Sequence, residues 1–284
     1  MFQAGLLKDK TFVITGGGTG LGAEMAKRFA ELGAHAVVLG RRKEKLEDVV
    51  SQIQRAGGKA SAHVCDVRDF SAVQEVAGRV GTVDGLVNNA AGNFLAFSER
   101  LTPNGFDAVV RTVLYGSVYC TLAFGRHALQ RGGGGAVVSI ATTYAWTGTA
   151  YALPSACAKA GVLAMTRSLA VEWGHAGIRL NAIAPGPIPT QGAFSRLFAG
   201  EEAKRNAIER IPLGRFGRPD EIANLATFLL SDLCPYQTGD CVTMDGGEWI
   251  AGAGELSDYR KVPRERLEAA FEAMRPRKGR EDNS

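Results

Sequence analysis

Thr11-Phe-Val-Ile-Thr15 is a short apolar and β-branched run that passes without a spacer into Gly16-Gly-Gly-Thr-Gly-Leu-Gly22. No other feature of the chain limits its fold as much. A strand that ends in glycines and reopens at once into a helix, here through about Leu32, forms a nucleotide-binding unit. The glycines permit a tight turn and close backbone approach, and the helix N-terminus that follows favours a pyrophosphate. Glycine spacing alone is a weak signal; the strand and helix on either side make it a strong one. Gly16, Thr19, Gly20, Leu21 and Gly22 are the first candidate cofactor contacts.

The same alternation continues. His35–Leu39 reads as a second strand and is followed by Gly40-Arg41-Arg42-Lys43. A cofactor without a 2′-phosphate usually meets a carboxylate here. This chain offers none before Glu44. Two arginines and a lysine suit a phosphate instead, because guanidinium groups grip it as a fork. The pattern predicts NADP(H), with Arg41 as the main contact; the alternative is that these cations merely open a solvated helix. A helix to Ala56 leads to a strand at Lys59–Val64, and a fourth strand begins at Asp84. A helix over Asn104–Leu129, a strand at Ala136–Ile140, a helix from about Pro154 and a strand at Ile178–Ile183 come next. The turn and helix from Ile211 to Leu230 and a last strand at Asp240–Asp245 complete the pattern. With no repeat, linker or second domain in view, residues 1–284 are expected to form one Rossmann-type domain. It would be a doubly wound three-layer α/β/α sandwich on a parallel sheet of about seven strands with right-handed crossovers.

Composition narrows the function. The chain is 45% hydrophobic and 22% charged, ordinary for a globular protein, and long enough for a substantial core. The net charge of +4 is spread out apart from the tail, which argues against nucleic acid. No apolar run reads as long enough to span a bilayer, so no membrane partner is expected. A first strand near residue 11 leaves no room for a leader, and Asp282-Asn-Ser284 is not a peroxisomal address, so the expected location is cytoplasmic. Cysteines 65, 120, 157, 234 and 241 show neither metal spacing nor a paired framework, and read as reduced thiols with no metal site. Cys157 is expected to be a packed thiol pointing away from its neighbours.

Chemistry concentrates between Ser139 and Lys159. Ser155 and Lys159, four apart on a helix, share one face. Tyr144 stands in the loop at the carboxyl end of the strand before them, the edge where open parallel sheets bind ligands. A phenol, a hydroxyl and an ammonium thus converge on one crevice.

These segments resemble the short-chain dehydrogenase/reductase family. Thr15-Gly-x-x-x-Gly-x-Gly22 and Asn88-Asn-Ala-Ala-Gly92 match its motifs. The family carries Tyr-x-x-x-Lys on the active-site helix; here Ser155 holds the tyrosine's place, with Tyr151 and Tyr144 the nearest phenols. The family's catalytic asparagine is replaced by Val113. Both departures resemble the 2,4-dienoyl-CoA reductase branch. That resemblance implies NADPH-dependent reduction of 2,4-dienoyl-CoA to 3-enoyl-CoA in the β-oxidation of unsaturated fatty acids, by a homotetramer built through the two long helices. It implies that Tyr144 and Asn93 hold the thioester carbonyl, that Lys159 binds the nicotinamide ribose, and that Ser155 orients Lys159 or a water. It assigns Asp66 to the adenine edge, Asn89 to the border of the cofactor, and Pro185, Gly186 and Ile188 to the nicotinamide. It assigns Arg68 and Arg196 to the CoA part of the substrate, and Phe94 and Thr102 to its lining. Residues 192–210 are expected to form a lid, 251–275 a helical extension, and the segment from Arg275 to Ser284 a disordered tail. Two other functions stay open: a ketone or alcohol (3-oxoacyl) oxidoreductase using Tyr144 or Tyr151 as acid, and a catalytically silent NADP(H)-binding protein.

Overall fold

The computed structural model describes residues 2–190 and 200–275. Strands β1 (Thr11–Thr15), β2 (His35–Gly40), β3 (Lys59–Val64), β4 (Gly85–Asn88), β5 (Gly135–Ile140), β6 (Ile178–Pro185) and β7 (Cys241–Met244) form one sheet in the order β3-β2-β1-β4-β5-β6-β7. Every neighbouring pair is parallel. The chain winds outward from β1 to β3, then returns to build the other half from β4. The ends of β1 and β4 are therefore adjacent, with Phe12 opposite Gly85 and Ile14 opposite Val87. That reversal opens the crevice in which such sheets hold ligands.

The inner strands are rich in apolar residues because both faces of the sheet are covered, whereas the edge strand β3, Lys59-Ala-Ser-Ala-His-Val64, is only partly buried. Phe12 and Ile14 of β1 point to one side and pack with Phe29 of α1 (Gly20–Glu31), Ile53 of α2 (Lys43–Arg55) and Ile222. Val13, between them, points to the other side and joins Val73 of α3 (Phe70–Val80), Phe124 and Trp173. Burying each such side chain contributes roughly 1.5–3 kcal/mol. The packing is close enough to dictate a glycine: a Cβ on Gly85 would sit 2.2 Å from Cδ1 of Phe12.

The expected helix over 104–129 is not continuous. It begins as α4 (Pro103–Val110), widens into a π turn at Arg111–Tyr115, and resumes as α5 (Gly116–Gln130). Hydroxyls mark the disturbance: Thr112 Oγ1 donates to Ala108 O at 2.9 Å, and Ser117 Oγ to Val113 O at 2.6 Å. Such back-bonding weakens and bends helices. By length and composition Pro103–Gln130 is a membrane-span candidate, contrary to the expectation of none. Half of the tested window is buried inside the fold, as a core helix requires.

Further along come α6 (Tyr144–Thr147), α7 (Leu153–Trp173), α8 (Glu201–Arg210), α9 (Pro219–Leu230), α10 (Glu248–Ala253) and α11 (Arg264–Ala273). The C-terminal extension is helical as expected, and its first helix starts at 248. Of the expected lid, residues 201–210 form α8; residues 192–199, Arg196 among them, lie outside the described residues, as does the tail from 276. Cys157 is exposed on α7, so the packed-thiol reading does not hold there.

Candidate active site

At the β1–β4 reversal lies a cleft of about 320 Å³. The glycine loop forms its floor, and the loop is tied to β4 by Thr15. The Thr15 hydroxyl donates to Val87 O at 3.2 Å and accepts from the N–H groups of Asn89 and Ala90, both at 2.9 Å. Asn89 Nδ2 returns a bond to Thr15 O at 2.9 Å. Two glycines are required by contact. A Cβ on Gly22 would lie 2.5 Å from Gly16 O, and one on Gly17 would lie 2.7 Å from Cγ1 of Val38. Gly20 has φ +57°, the left-handed region that favours glycine. Thr19, at the N-cap of α1, makes no side-chain cap bond, so its side chain does not satisfy the donors of the first turn. A backbone stripped of side chains beside a helix start fits a dinucleotide pyrophosphate.

The other end of the cleft is basic. Arg41, Arg42 and Lys45 line it, while Glu44 does not. Lys43, the lysine singled out by the sequence pattern, instead pairs with Glu47 at 3.6 Å across one helical turn. Lys45 and Thr112 are cleft residues that the sequence reading missed; helical phase would have marked Lys45 but nothing in the sequence marks Thr112. Asp66 also lines this end. Arg68 holds its carboxylate through Nε at 2.9 and 3.0 Å and Nη2 at 2.6 Å. These hydrogen bonds, against the cost of burial and with help from Arg41, keep Asp66 below the usual carboxylate range. The structure thus places Arg68 on Asp66, at the adenine end. With three cations and one already-paired carboxylate, this end fits a 2′-phosphorylated dinucleotide.

Tyr144 opens the one-turn helix α6, and its hydroxyl lies 3.0 Å from Ser155 Oγ on the first turn of α7. Pro154 sits beside Ser155 at the α7 start, where a missing N–H costs nothing. Lys159, one turn on, is buried, and its Nζ donates to Ile140 O at the end of β5. Burial brings its pKa down to about 8. Ser155 is therefore bonded to Tyr144, where the sequence reading had it orient Lys159 or a water. Val113 is buried against Ala158 and Val162, so the place of the family's asparagine is apolar.

Asn93 and Phe94 are exposed in the loop after β4. Asn93 Oδ1 accepts from Phe94 N at 2.9 Å, which fixes the amide and leaves its nitrogen as the donor end. Thr102 caps α4, accepting from Gly105 N at 3.1 Å. Tyr151 has a positive φ and packs edge-on to Phe97 at 5.5 Å, at the edge of the same loop. On the opposite side, Gly186 N donates to Met244 O at 3.0 Å and Gly217 N to Pro187 O at 3.1 Å. A Cβ on Gly186 would stand 2.7 Å from Asp245 Cα, so the ledge from Pro185 to Ile188 is held tightly against the end of β7.

A phosphate-cradling cleft and a phenol–hydroxyl–ammonium cluster on the same sheet edge define a nicotinamide-dinucleotide oxidoreductase. A family model described as enoyl-(acyl carrier protein) reductase matches residues 16–248. A protein of Bacillus subtilis (strain 168), named a probable 2,4-dienoyl-CoA reductase producing (2E)-enoyl-CoA, is 48% identical over 249 residues, covering 86% of this chain and 98% of the relative. One from Caenorhabditis elegans, named a probable 2,4-dienoyl-CoA reductase producing (3E)-enoyl-CoA, is 42% identical over 256 residues, covering 87% and 83%. A solved structure from Agrobacterium tumefaciens, described as a 2-deoxy-d-gluconate 3-dehydrogenase with bound NADP, superposes with a TM-score of 0.82 at 35% identity, covering 88% of this chain and 100% of the other. The chain belongs to the short-chain dehydrogenase/reductase family.

Proposed function

We propose that this chain reduces 2,4-dienoyl-CoA thioesters to 3-enoyl-CoA with NADPH, in the breakdown of unsaturated fatty acids. The observation that carries the reading is the Tyr144–Ser155 pair at 3.0 Å, which sets a phenol beside the active-site helix from outside it. The names of the relatives point the same way.

NADPH, when bound, supplies hydride to C5 of the diene. The electrons shift along the conjugated system and negative charge gathers on the thioester oxygen. A proton then joins C2, which leaves the C3=C4 double bond. What this chain must provide is a set of donors at that oxygen, and Tyr144 and Asn93 are those donors. A donor aimed at a developing oxyanion contributes on the order of 3 kcal/mol. Ser155 aligns the Tyr144 hydroxyl, and Lys159 fixes the ribose side of the cofactor. Arg41, Arg42 and Lys45 select the 2′-phosphate. Arg68 and Arg196 meet the CoA part, and Phe94 and Thr102 line the acyl-CoA.

A second product reading has its own support: the Bacillus relative is named for a (2E)-enoyl product, which requires protonation at C4. NADPH absorbance followed with a 2,4-dienoyl-CoA, a 3-oxoacyl-CoA and no thioester tests the function, and chromatography of the product decides the double-bond position. Oxidation only with the dienoyl thioester, giving 3-enoyl-CoA, is expected. Oxidation only with the ketone would sink the reading, and cofactor binding without turnover would leave a silent binder. We also propose a cytoplasmic homotetramer built through the long helices. Tyr115 and Leu129 on one, and Leu153 and Val171 on the other, are exposed apolar side chains of the kind a subunit interface covers. Light scattering showing a monomer would contradict it.

A further inference from the structure

The sheet order sets two flanks around Tyr144. The β4 loop, with Asn93 and Phe94, lies on one side, and the segment after β7 lies on the other. Of the residues proposed to meet the acyl-CoA, Arg68, Phe94 and Thr102 follow β3 or β4 and Arg196 follows β6; the turn that carries Tyr144 also carries Trp146, which meets the segment after β7.

On that flank two tryptophans meet. Trp146 stands two residues after Tyr144 on α6, and Trp249 stands on α10. Their ring centroids are 5.2 Å apart and their planes are inclined by 33°. Trp146 is seated on the buried cluster of Ala141, Leu163 and Ala182. Trp249 is fixed by Asp245, whose Oδ2 accepts from Trp249 N at 2.7 Å and whose Oδ1 accepts from Gly247 N at 2.8 Å. Asp245 in turn abuts Gly186. The pair is thus braced both to the Tyr144 turn and to the Pro185–Ile188 ledge.

Next to the pair lies a cavity of about 630 Å³, bounded by Thr147, Arg210 and the segment 248–261. Its charges are partnered in place. Arg210 Nε donates to Glu248 Oε1 at 3.2 Å, Lys261 Nζ pairs with Asp258 at 2.7 Å, and Arg260 Nη2 donates to Glu209 O at 2.6 Å. The Trp249 ring and the small residues Ala251, Gly252 and Ala253 line the cavity alongside these paired charges.

We infer that the Trp146–Trp249 pair is the acyl-side wall of the substrate site and that the cavity beside it receives the tail of a long acyl chain, so that segment 248–261 sets chain-length preference. The inference rests on the dienoyl-CoA reading. A flat conjugated segment finds aromatic faces beside the Tyr144 turn, and each further methylene removed from water strengthens binding about fourfold.

Gly252 provides the test, because a Cβ built on it meets nothing within 4 Å. Gly252→Phe puts bulk into the cavity without crowding the helix. The readout is the ratio of kcat/KM for tetradeca-2,4-dienoyl-CoA over hexa-2,4-dienoyl-CoA, with the NADPH Kd measured on the same protein to report an intact fold. The ratio is expected to fall at least about tenfold, the size of effect a few lost methylene contacts produce. Trp249→Leu, which strips the wall, is expected to lower the same ratio and stands in if the first variant fails to bind NADPH. An unchanged ratio in a variant that still binds NADPH overturns the inference. Failure of the dienoyl reading has a different signature, a native protein that consumes no NADPH with either thioester, and it overturns both.

Discussion

A displaced phenol and the apolar Val113 set this site apart from that of a ketone reductase. A ketone reductase must protonate an alkoxide, which calls for an acid on the active-site helix beside the lysine. Here Ser155 occupies that place and carries Tyr144 at 3.0 Å. Tyr144→Phe removes a donor while sparing the cofactor cleft, and turnover should fall roughly 100- to 1,000-fold with the NADPH Kd nearly unchanged. A fully active variant would refute the donor role. Lys159 is a group whose pKa burial has lowered to about 8. In the folded chain its charge is therefore lost as pH rises through about 8, so NADPH affinity should weaken over that range; a flat binding profile from pH 7 to 9.5 would contradict this. The stability sign is the opposite. Between about 8 and the ordinary lysine value the unfolded chain holds the proton and the folded chain does not, so burying Lys159 becomes less costly as pH rises. Among residues, Tyr144, Ser155 and Lys159 were legible as a group because their spacing aims them at one strand end. The Tyr144–Ser155 bond was not, since it depends on α6 folding the chain back on itself.

Secondary elements decide which side chains reach the cleft. All seven strands were legible because each is a short run bounded by turn residues, and the inner ones are as apolar as a two-sided sheet demands. The π turn at Arg111–Tyr115 was not, because no residue within it is proline or glycine; its signs are hydroxyl-to-carbonyl bonds that only the folded helix displays. The phase of α2 likewise brings Lys45, and not Lys43, to the basic end of the cleft. Arg41→Asp places a carboxylate where the 2′-phosphate is expected. It should reverse the preference for NADPH over NADH, read as the ratio of kcat/KM for the two cofactors; an unchanged ratio would remove Arg41 from the phosphate seat. Strand packing makes its own prediction. In Gly85→Ala the new methyl must displace the Phe12 ring, and urea unfolding should show a loss of about 1–3 kcal/mol. No measurable loss would mean that the β1–β4 contact is looser than described.

At the scale of the whole molecule, one sheet edge carries a cofactor cleft at the β1–β4 reversal and, past β5 toward β7, the flank proposed for the substrate. The cleft was readable in the chain because it is local, a strand, glycines and a helix in sequence. The flank was readable only through family resemblance, and its far wall was not readable at all: Trp146 and Trp249 are brought together by the order of β5, β6 and β7. The C-terminal extension looked like a charged appendage in sequence, and in the fold it is tied to α8 through Arg260 and Glu248. The central claim is that a phenol from outside the active-site helix, with the Asn93 amide, holds the thioester oxygen. A crystal structure of the complex with NADP⁺ and an enoyl-CoA measures this directly. The account predicts Tyr144 Oη and Asn93 Nδ2 both within hydrogen-bond distance of that oxygen; a phenol turned away from the acyl group, toward solvent, would contradict it.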